Sequence, residues 1–167
     1  ITMTPAADSE GILLLEPAKE QAKAAFNWDN ATVYFMLTDR FHNGDKSNDN
    51  SFGRKKDGKD EIGTWHGGDF KGITEKLDYL KDLGVNAIWI TPMVEQVHGF
   101  VGGGENGSFP FYGYHGYWAL DFTKIDPNYG DEAALQTMVD EAHKRGIRVL
   151  LDVVMNHVGY ATLADLQ

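Results

Sequence analysis

The strongest constraint in this sequence is an alternation of short apolar runs with amphipathic runs, in which the apolar runs are followed by unusually long polar connections. Thr32-Val-Tyr-Phe-Met-Leu-Thr38 is β-branched and aromatic, suited to a buried strand. Residues 42 to 68 then form a turn-forming mixture of His, Asn, Gly, Asp, Ser and Lys, too long for a routine βα connection. Ile73, Leu77, Leu80 and Leu83 fall at i, i+4, i+7 and i+10, which predicts one helical stripe, with Gly84 placed to end it in a left-handed conformation. The unit repeats. Val85 to Ile90 reads as a second strand, residues 93 to 130 as a second long connection, and Glu132 to Arg145 as a second helix. Asp131 is its N-cap, Leu135, Met138, Val139 and Ala142 its stripe, Lys144 and Arg145 suit its C-terminal dipole, and Gly146 stops it. A third strand, Ile147 to Met155, is apolar on both faces except for Asp152. Strand, helix, strand, helix, strand is a parallel α/β pattern, and such folds build their sites at the carboxyl edge of the sheet, where the long connections lie.

Composition narrows the partners. Among 167 residues, 25 Asp and Glu outweigh 15 Lys and Arg, so the formal charge is −10 with His neutral. A surface this acidic repels phosphate backbones and anionic lipid, which argues against nucleic acid and membrane partners. The absence of Cys excludes disulfide scaffolds, thiolate zinc sites and cysteine nucleophiles. No apolar run approaches the roughly 18 residues of a membrane-spanning helix. Residues 1 to 27 differ in character: Gly11 to Glu16 reads as a short strand and Pro17 to Phe26 as a helix or linker, either an N-terminal arm or the tail of a preceding domain. The chain starts at Ile1 without a signal-peptide pattern, and three strands do not close a barrel. The sequence is therefore expected to be a piece of a longer protein, with residues 28 to 167 the N-terminal part of a longer α/β domain.

Two segments carry the chemistry. Leu151-Asp-Val-Val-Met-Asn-His157 takes an apolar strand directly into a carboxylate, an amide and an imidazole. Taken alone, a strand-end His or Asn is as often a hydrogen-bonded structural residue as a ligand. Tyr114-His-Gly-Tyr-Trp118 adds three aromatics and a histidine on a connection, where no helix or strand stripe accounts for them. Rings stack on the apolar faces of sugars while His, Asn and Asp bond the hydroxyls, so the two segments together favour a sugar site over a surface aromatic cluster. The first connection holds Asn43, Asp45, Asn48 and Asp49, with Gly67 and Asp69 at its far end. Hard oxygen donors at this density suit calcium, although the spacing is not that of an EF-hand and Asn-Gly and Asn-Asp runs also form plain turns. Asp121 and Asp126 read as loop residues.

These motifs resemble the α-amylase family of glycoside hydrolases from about Ala31 to Gln167. Asp152-Val-Val-Met-Asn-His157 resembles the family signature at the end of barrel strand three, and Gly84-Val-Asn-Ala-Ile-Trp-Ile-Thr-Pro92 the strand-two segment. His115-Gly-Tyr-Trp118 resembles the aromatic loop of the innermost sugar subsite, and Tyr34 to Phe41, with Thr-Asp-Arg-Phe, strand one. The loop wording is most similar to the bacterial periplasmic subgroup. The resemblance implies an α/β fold comprising the first three βα units of a (β/α)8 TIM barrel, truncated after strand three. It implies that Tyr117 stacks under the sugar at the cleavage point, that His115 and His157 bond its hydroxyls, and that Trp118 supports this wall. Asn156 would be a ligand of the family's structural calcium, and Asp152 a buried structural carboxylate paired with an arginine of the fourth strand. A catalytic Asp152 ranks lower, because the retaining mechanism needs two carboxyls roughly 5 to 5.5 Å apart and no second one lies on the same strand end. A loop calcium on Asn43, Asp45, Asn48, Asp49, Gly67 and Asp69 is also implied.

The function implied is retaining hydrolysis of α-1,4-glucans, starch or maltodextrins, by a periplasmic or secreted protein that is monomeric when complete. The nucleophile and acid belong to later strands, so this chain alone is expected to be inactive. Two alternatives stand beside it: a non-catalytic amylase-like binding protein, and another α-glucan reaction on the same barrel, such as transglycosylation or α-1,6 cleavage.

Overall fold

The computed structural model describes residues 26–54 and 62–166. The expected strand Gly11 to Glu16 and most of the helix or linker after it lie outside these residues. Strands β1 (Val33–Met36), β2 (Ala87–Ile90) and β7 (Arg148–Leu151) form one parallel sheet in the order β1-β2-β7. Its helical layer comprises α2 (Phe70–Glu75), α3 (Leu77–Asp82) and α4 (Glu132–Lys144). The apolar side chains shared between these layers make the core: Ile88 and Ile90 from the sheet, Phe70, Ile73, Leu77 and Leu80 from α2 and α3, Met138 and Ala142 from α4. Helix α4 starts as its sequence demands, the Asp131 carboxylate accepting the N–H of Ala134 at 2.8 Å, and Gly146 beyond it takes φ +76°. No helix among the described residues is long and apolar enough to cross a membrane.

Three expectations need correction. The stripe from Ile73 to Leu83 is not one helix: Lys76, at φ −106° and ψ 5°, separates α2 from α3, and the resulting turn leaves Leu83 exposed while Ile73, Leu77 and Leu80 stay fully buried. The third strand ends at Leu151, so Asp152, Asn156 and His157 sit on the segment that leaves the sheet rather than in it. The connection from 93 to 130 is not irregular. It contains β3 (Val94–Gln96) paired antiparallel with β6 (Ala119–Ile125), and β4 (Phe100–Gly103) paired antiparallel with β5 (Phe109–Tyr112). Asp121 accordingly lies within β6, where it accepts from the N–H and hydroxyl of Thr123 and pairs with Lys124 at 3.0 Å. A short helix, α1 (Thr38–Phe41), follows β1 directly.

Candidate active site

The carboxyl edge of the parallel sheet brings four of the expected residues together. Tyr117 is tied down at three points: its N–H donates to Nδ1 of His115 at 3.0 Å, its carbonyl lies 3.0 Å from Nε2 of His157, and its hydroxyl donates to Asp152 at 2.8 Å. Burial, then the Asp152 carboxylate, pushes the Tyr117 hydroxyl up to about 12, so it stays a donor at any physiological pH. Asp152 thus has a partner inside this chain that sequence reasoning missed, beside the arginine expected from another strand. The His115 ring lies 5.8 Å from that of Tyr117, nearly parallel to it, and meets Trp118 edge-on at 4.7 Å. Because Nδ1 of His115 accepts, its Nε2 carries the proton. Burial, reinforced by the Arg40 guanidinium, holds this imidazole down at about 4, which keeps it neutral. The wall is therefore a set of preoriented rings with neutral polar tips. Asn156 is exposed, and its side-chain oxygen lies 3.3 Å from Nδ1 of His157.

Residues that sequence reasoning passed over hold this wall from behind. Arg40, inside the Thr-Asp-Arg-Phe run, lies over the Tyr114 ring at 3.7 Å and donates to the carbonyls of Thr64 and Ile62. Phe111 of β5 touches Tyr114, His115 and Trp118 with ring centroids 5.5 to 5.8 Å apart. Asp126, expected in a loop, is fully buried against an equally buried Arg54, with bonds of 2.6 and 2.7 Å. Arg54 also donates to Oδ1 of Asn128 at 2.8 Å and lies between the rings of Phe52 and Trp65. The only signal in the sequence is an aspartate after the apolar end of β6, and nothing there points to an arginine so far back in the chain.

The first connection folds onto the N-terminus of α2. Asp69 caps that helix, accepting the N–H of Gly72 at 2.6 Å, and also accepts the N–H groups of Gly44 and Asp45 and the amide of Asn48. Such an approach requires glycine on both sides, since a side chain on Gly72 would run into the His42 carbonyl and one on Gly44 into the Gly72 backbone. Asp45 folds back on Ser47, whose hydroxyl and N–H hold its carboxyl below the usual range. Asn43 donates its amide to Asp49 at 2.9 Å. Gly67, at φ +87°, turns its N–H to the buried Asp39 carboxylate. Asn43, Asp45, Asn48, Asp49 and Asp69 are thus joined in one cluster, with Gly67 two residues from its cap.

Two polar atoms in this cluster stand out. The side-chain oxygens of Asn43 and Asn48 are buried and have no hydrogen-bond partner. Buried oxygens without donors are uncommon, and two in one Asn/Asp cluster are what a hard cation would satisfy. Among the described residues no three His, Cys, Asp or Glu side chains converge as a metal site, so any cation here would rely on amide and carbonyl oxygens as well as carboxylates. The donor set fits calcium and does not fit a transition metal.

Residues 35–164 match the alpha-amylase catalytic domain. The chain belongs to the alpha-amylase family. It is 64% identical over all 167 residues to the periplasmic alpha-amylase of Escherichia coli (strain K12), of which it covers 25%. Over 133 residues, 80% of the chain, it is 44% identical to a beta/alpha-amylase of Paenibacillus polymyxa, covering 10% of that protein. Among solved structures, an Anoxybacillus alpha-amylase superposes with a TM-score of 0.67 at 40% identity, over 83% of this chain and 26% of that one. An alpha-amylase of Geobacillus thermoleovorans solved with acarbose gives 0.60 at 40% identity, over 81% and 25%. The chain therefore spans about a quarter of the length of its alpha-amylase relative from E. coli. Its three parallel strands and their helices are the first three βα units of the family's (β/α)8 barrel.

Proposed function

We propose that the complete protein is a retaining α-1,4-glucan hydrolase acting on starch or maltodextrins, and that residues 28 to 167 contribute the sugar wall of its catalytic domain. The observation that carries this reading is Tyr117, fixed by His115, His157 and Asp152 with its ring free of any backbone role. A ring immobilised before substrate arrives loses little entropy on stacking against a pyranose. His115, held neutral, and His157 bond the hydroxyls, Trp118 backs the wall, and Asp152 works by orienting Tyr117 rather than as nucleophile. The names of the relatives support both the glucan substrate and a periplasmic or secreted location. Residues 1 to 27 are assigned to a preceding domain or linker, and the complete protein is a monomer.

Calcium is the cofactor of this reading. Asn43 and Asn48 would hold it through their unpartnered oxygens, with Asp45, Asp49 and Asp69 supplying charge and Gly67 a carbonyl. Asn156 is assigned to a second calcium on the strength of its place in the Asp152 to His157 motif. Bound calcium would cross-link the connections at the carboxyl edge and take no part in bond cleavage.

The deciding experiment is hydrolysis of maltoheptaose by the complete protein. Short linear maltooligosaccharides of retained anomeric configuration are expected. No release of reducing sugar, or a product dominated by cyclic glucans, overturns the assignment. The 167-residue chain, whose sequence offers no second carboxylate on the strand end that carries Asp152, is expected to show no turnover.

A further inference from the structure

Tyr117 is fixed by its own three bonds, but the next residue is fixed by a side chain from another strand. Gln96, the last residue of β3, is fully buried, and its amide spans two backbones. Its oxygen accepts the N–H of Trp118 at 2.6 Å, and its nitrogen donates to the carbonyl of Val94 at 2.8 Å. An N–H can only donate and a carbonyl can only accept, so the amide has one satisfied orientation. The ladder between β3 and β6 shifts register on both sides of Glu95, which leaves the Trp118 N–H without a backbone acceptor in the ladder. The Gln96 amide supplies that acceptor, beside the backbone bond from Val97 to the Trp118 carbonyl.

Gln96 is itself clamped. Its N–H donates to Asp126 at 2.9 Å, and its carbonyl accepts from the second guanidinium nitrogen of Arg54. Asp126 holds the first nitrogen of the same guanidinium. A buried ion pair therefore grips the Gln96 backbone, and the Gln96 side chain grips Trp118. The next carbonyl along, that of Trp118, accepts the N–H of Val97 at 3.0 Å, which completes the hold on this residue.

We propose that Gln96 is a positioning residue for sugar binding, acting through the Trp118 backbone on the Tyr117 platform, with Arg54 and Asp126 as the clamp that holds Gln96. This rests on the glucan-hydrolase reading for its substrate, but the hold on Trp118 can be measured without it. The test uses the complete protein with maltoheptaose as probe. Gln96→Met keeps the side-chain length and removes both polar ends. It is expected to raise KM about fivefold to tenfold, the worth of one hydrogen bond, with kcat within about twofold. Amide exchange at Trp118 should accelerate by a similar factor. Gln96→Glu keeps an oxygen for the Trp118 N–H but sets a second acceptor against the Val94 carbonyl, so it should recover the KM and the exchange protection only in part. Met138→Ala, in the core under α4, is the control: it lowers the melting temperature without moving KM.

The proposal is overturned if Gln96→Met leaves KM and Trp118 exchange unchanged. It is equally overturned if KM follows melting temperature alike in Gln96→Met and Met138→Ala, since that would make Gln96 ordinary scaffold. Should Gln96→Met fail to fold, Gln96→Asn, one methylene too short to span both backbones, carries the same expectation. If the wild-type protein neither binds nor cleaves maltoheptaose, the hydrolase reading fails by itself, and Trp118 exchange still decides whether Gln96 holds that backbone.

Discussion

The two long connections leave neighbouring strands of one sheet and are held by opposite means. The first, after β1, has almost no regular structure among its described residues and is organised by carboxylates: Asp69 gathers the N–H groups of Gly44, Asp45 and Gly72, while Asp39 gathers those of His66 and Gly67. It leaves two buried amide oxygens unsatisfied. The second, after β2, is built from two antiparallel strand pairs and a cluster of aromatic rings, and its buried Asp126 takes Arg54 of the first connection as its partner. The first has the form of a cradle that a cation would complete. The second presents strands and rings already packed against one another, the preorganisation that the proposed sugar wall requires.

Breaking the ion pair that ties the two connections together should have the largest effect. Arg54→Met leaves Asp126 buried without its counter-charge and is expected to cost ~3–5 kcal/mol, read from urea denaturation. A loss below about 1 kcal/mol would mean that the strands hold this region unaided. In the first connection, burial raises Asp39 from 3.8 to about 6, against the backbone donors of Gly67 and His66 and the Arg40 charge. The folded protein then holds this proton more tightly than the unfolded chain does. The contribution is fully present below about pH 4 and is lost as pH rises through 6, with an upper bound of ~3 kcal/mol. Asp39→Asn keeps an acceptor and removes the titration, so the stability difference between variant and wild type should grow from pH 4 to 6 and then level off. Parallel curves would show that Asp39 does not titrate in that window.

Calcium should sharpen the contrast, because it acts on one connection only. At a hundredfold excess over Kd it is expected to stabilise the complete protein by ~2.7 kcal/mol, reversed by chelator. The double variant Asn43→Leu, Asn48→Leu should reduce that shift. An unchanged melt in the wild type removes the cation from the account of the first connection. The smallest effect is expected from Tyr117→Phe, which deletes the bond to Asp152. Affinity for maltoheptaose should fall by about fivefold with little change in melting temperature. Equal affinity would mean that the histidine contacts alone orient the ring.

How much of this was legible depends on how local the cause is. Helix α4 is announced by its own residues, with Asp131, the stripe through Met138 and Ala142, and Gly146 all within one stretch. The parallel order of strands follows from the strand and helix alternation. The wall residues His115, Tyr117, Asp152 and His157 could be named because they cluster in two short motifs, and the structure brings them into contact. The break at Lys76 has no Pro or Gly to mark it: α2 and α3 each pack their own stripe, and the turn between them is set by tertiary contacts. Strands β3 to β5 escaped notice because they are three or four residues long, carry Gly and Pro, and owe their pairing to partners elsewhere. Arg54 and Asp126 were illegible as a pair, since neither residue type nor spacing says that two charges so far apart in sequence will be buried together.

That separation also orders events in time. Arg54 and Asp126 are 72 residues apart. At ribosomal rates of ~5–20 residues per second, the guanidinium emerges about 4 to 14 s before its carboxylate exists. Until then Arg54 cannot enter the interior, because a buried guanidinium without a counter-charge is prohibitively costly. Trp65, fully buried beside it, must wait as well. The nascent chain therefore carries Arg54 and Trp65 in the open until Asp126 arrives, and their burial marks the moment at which the proposed sugar wall acquires its backing.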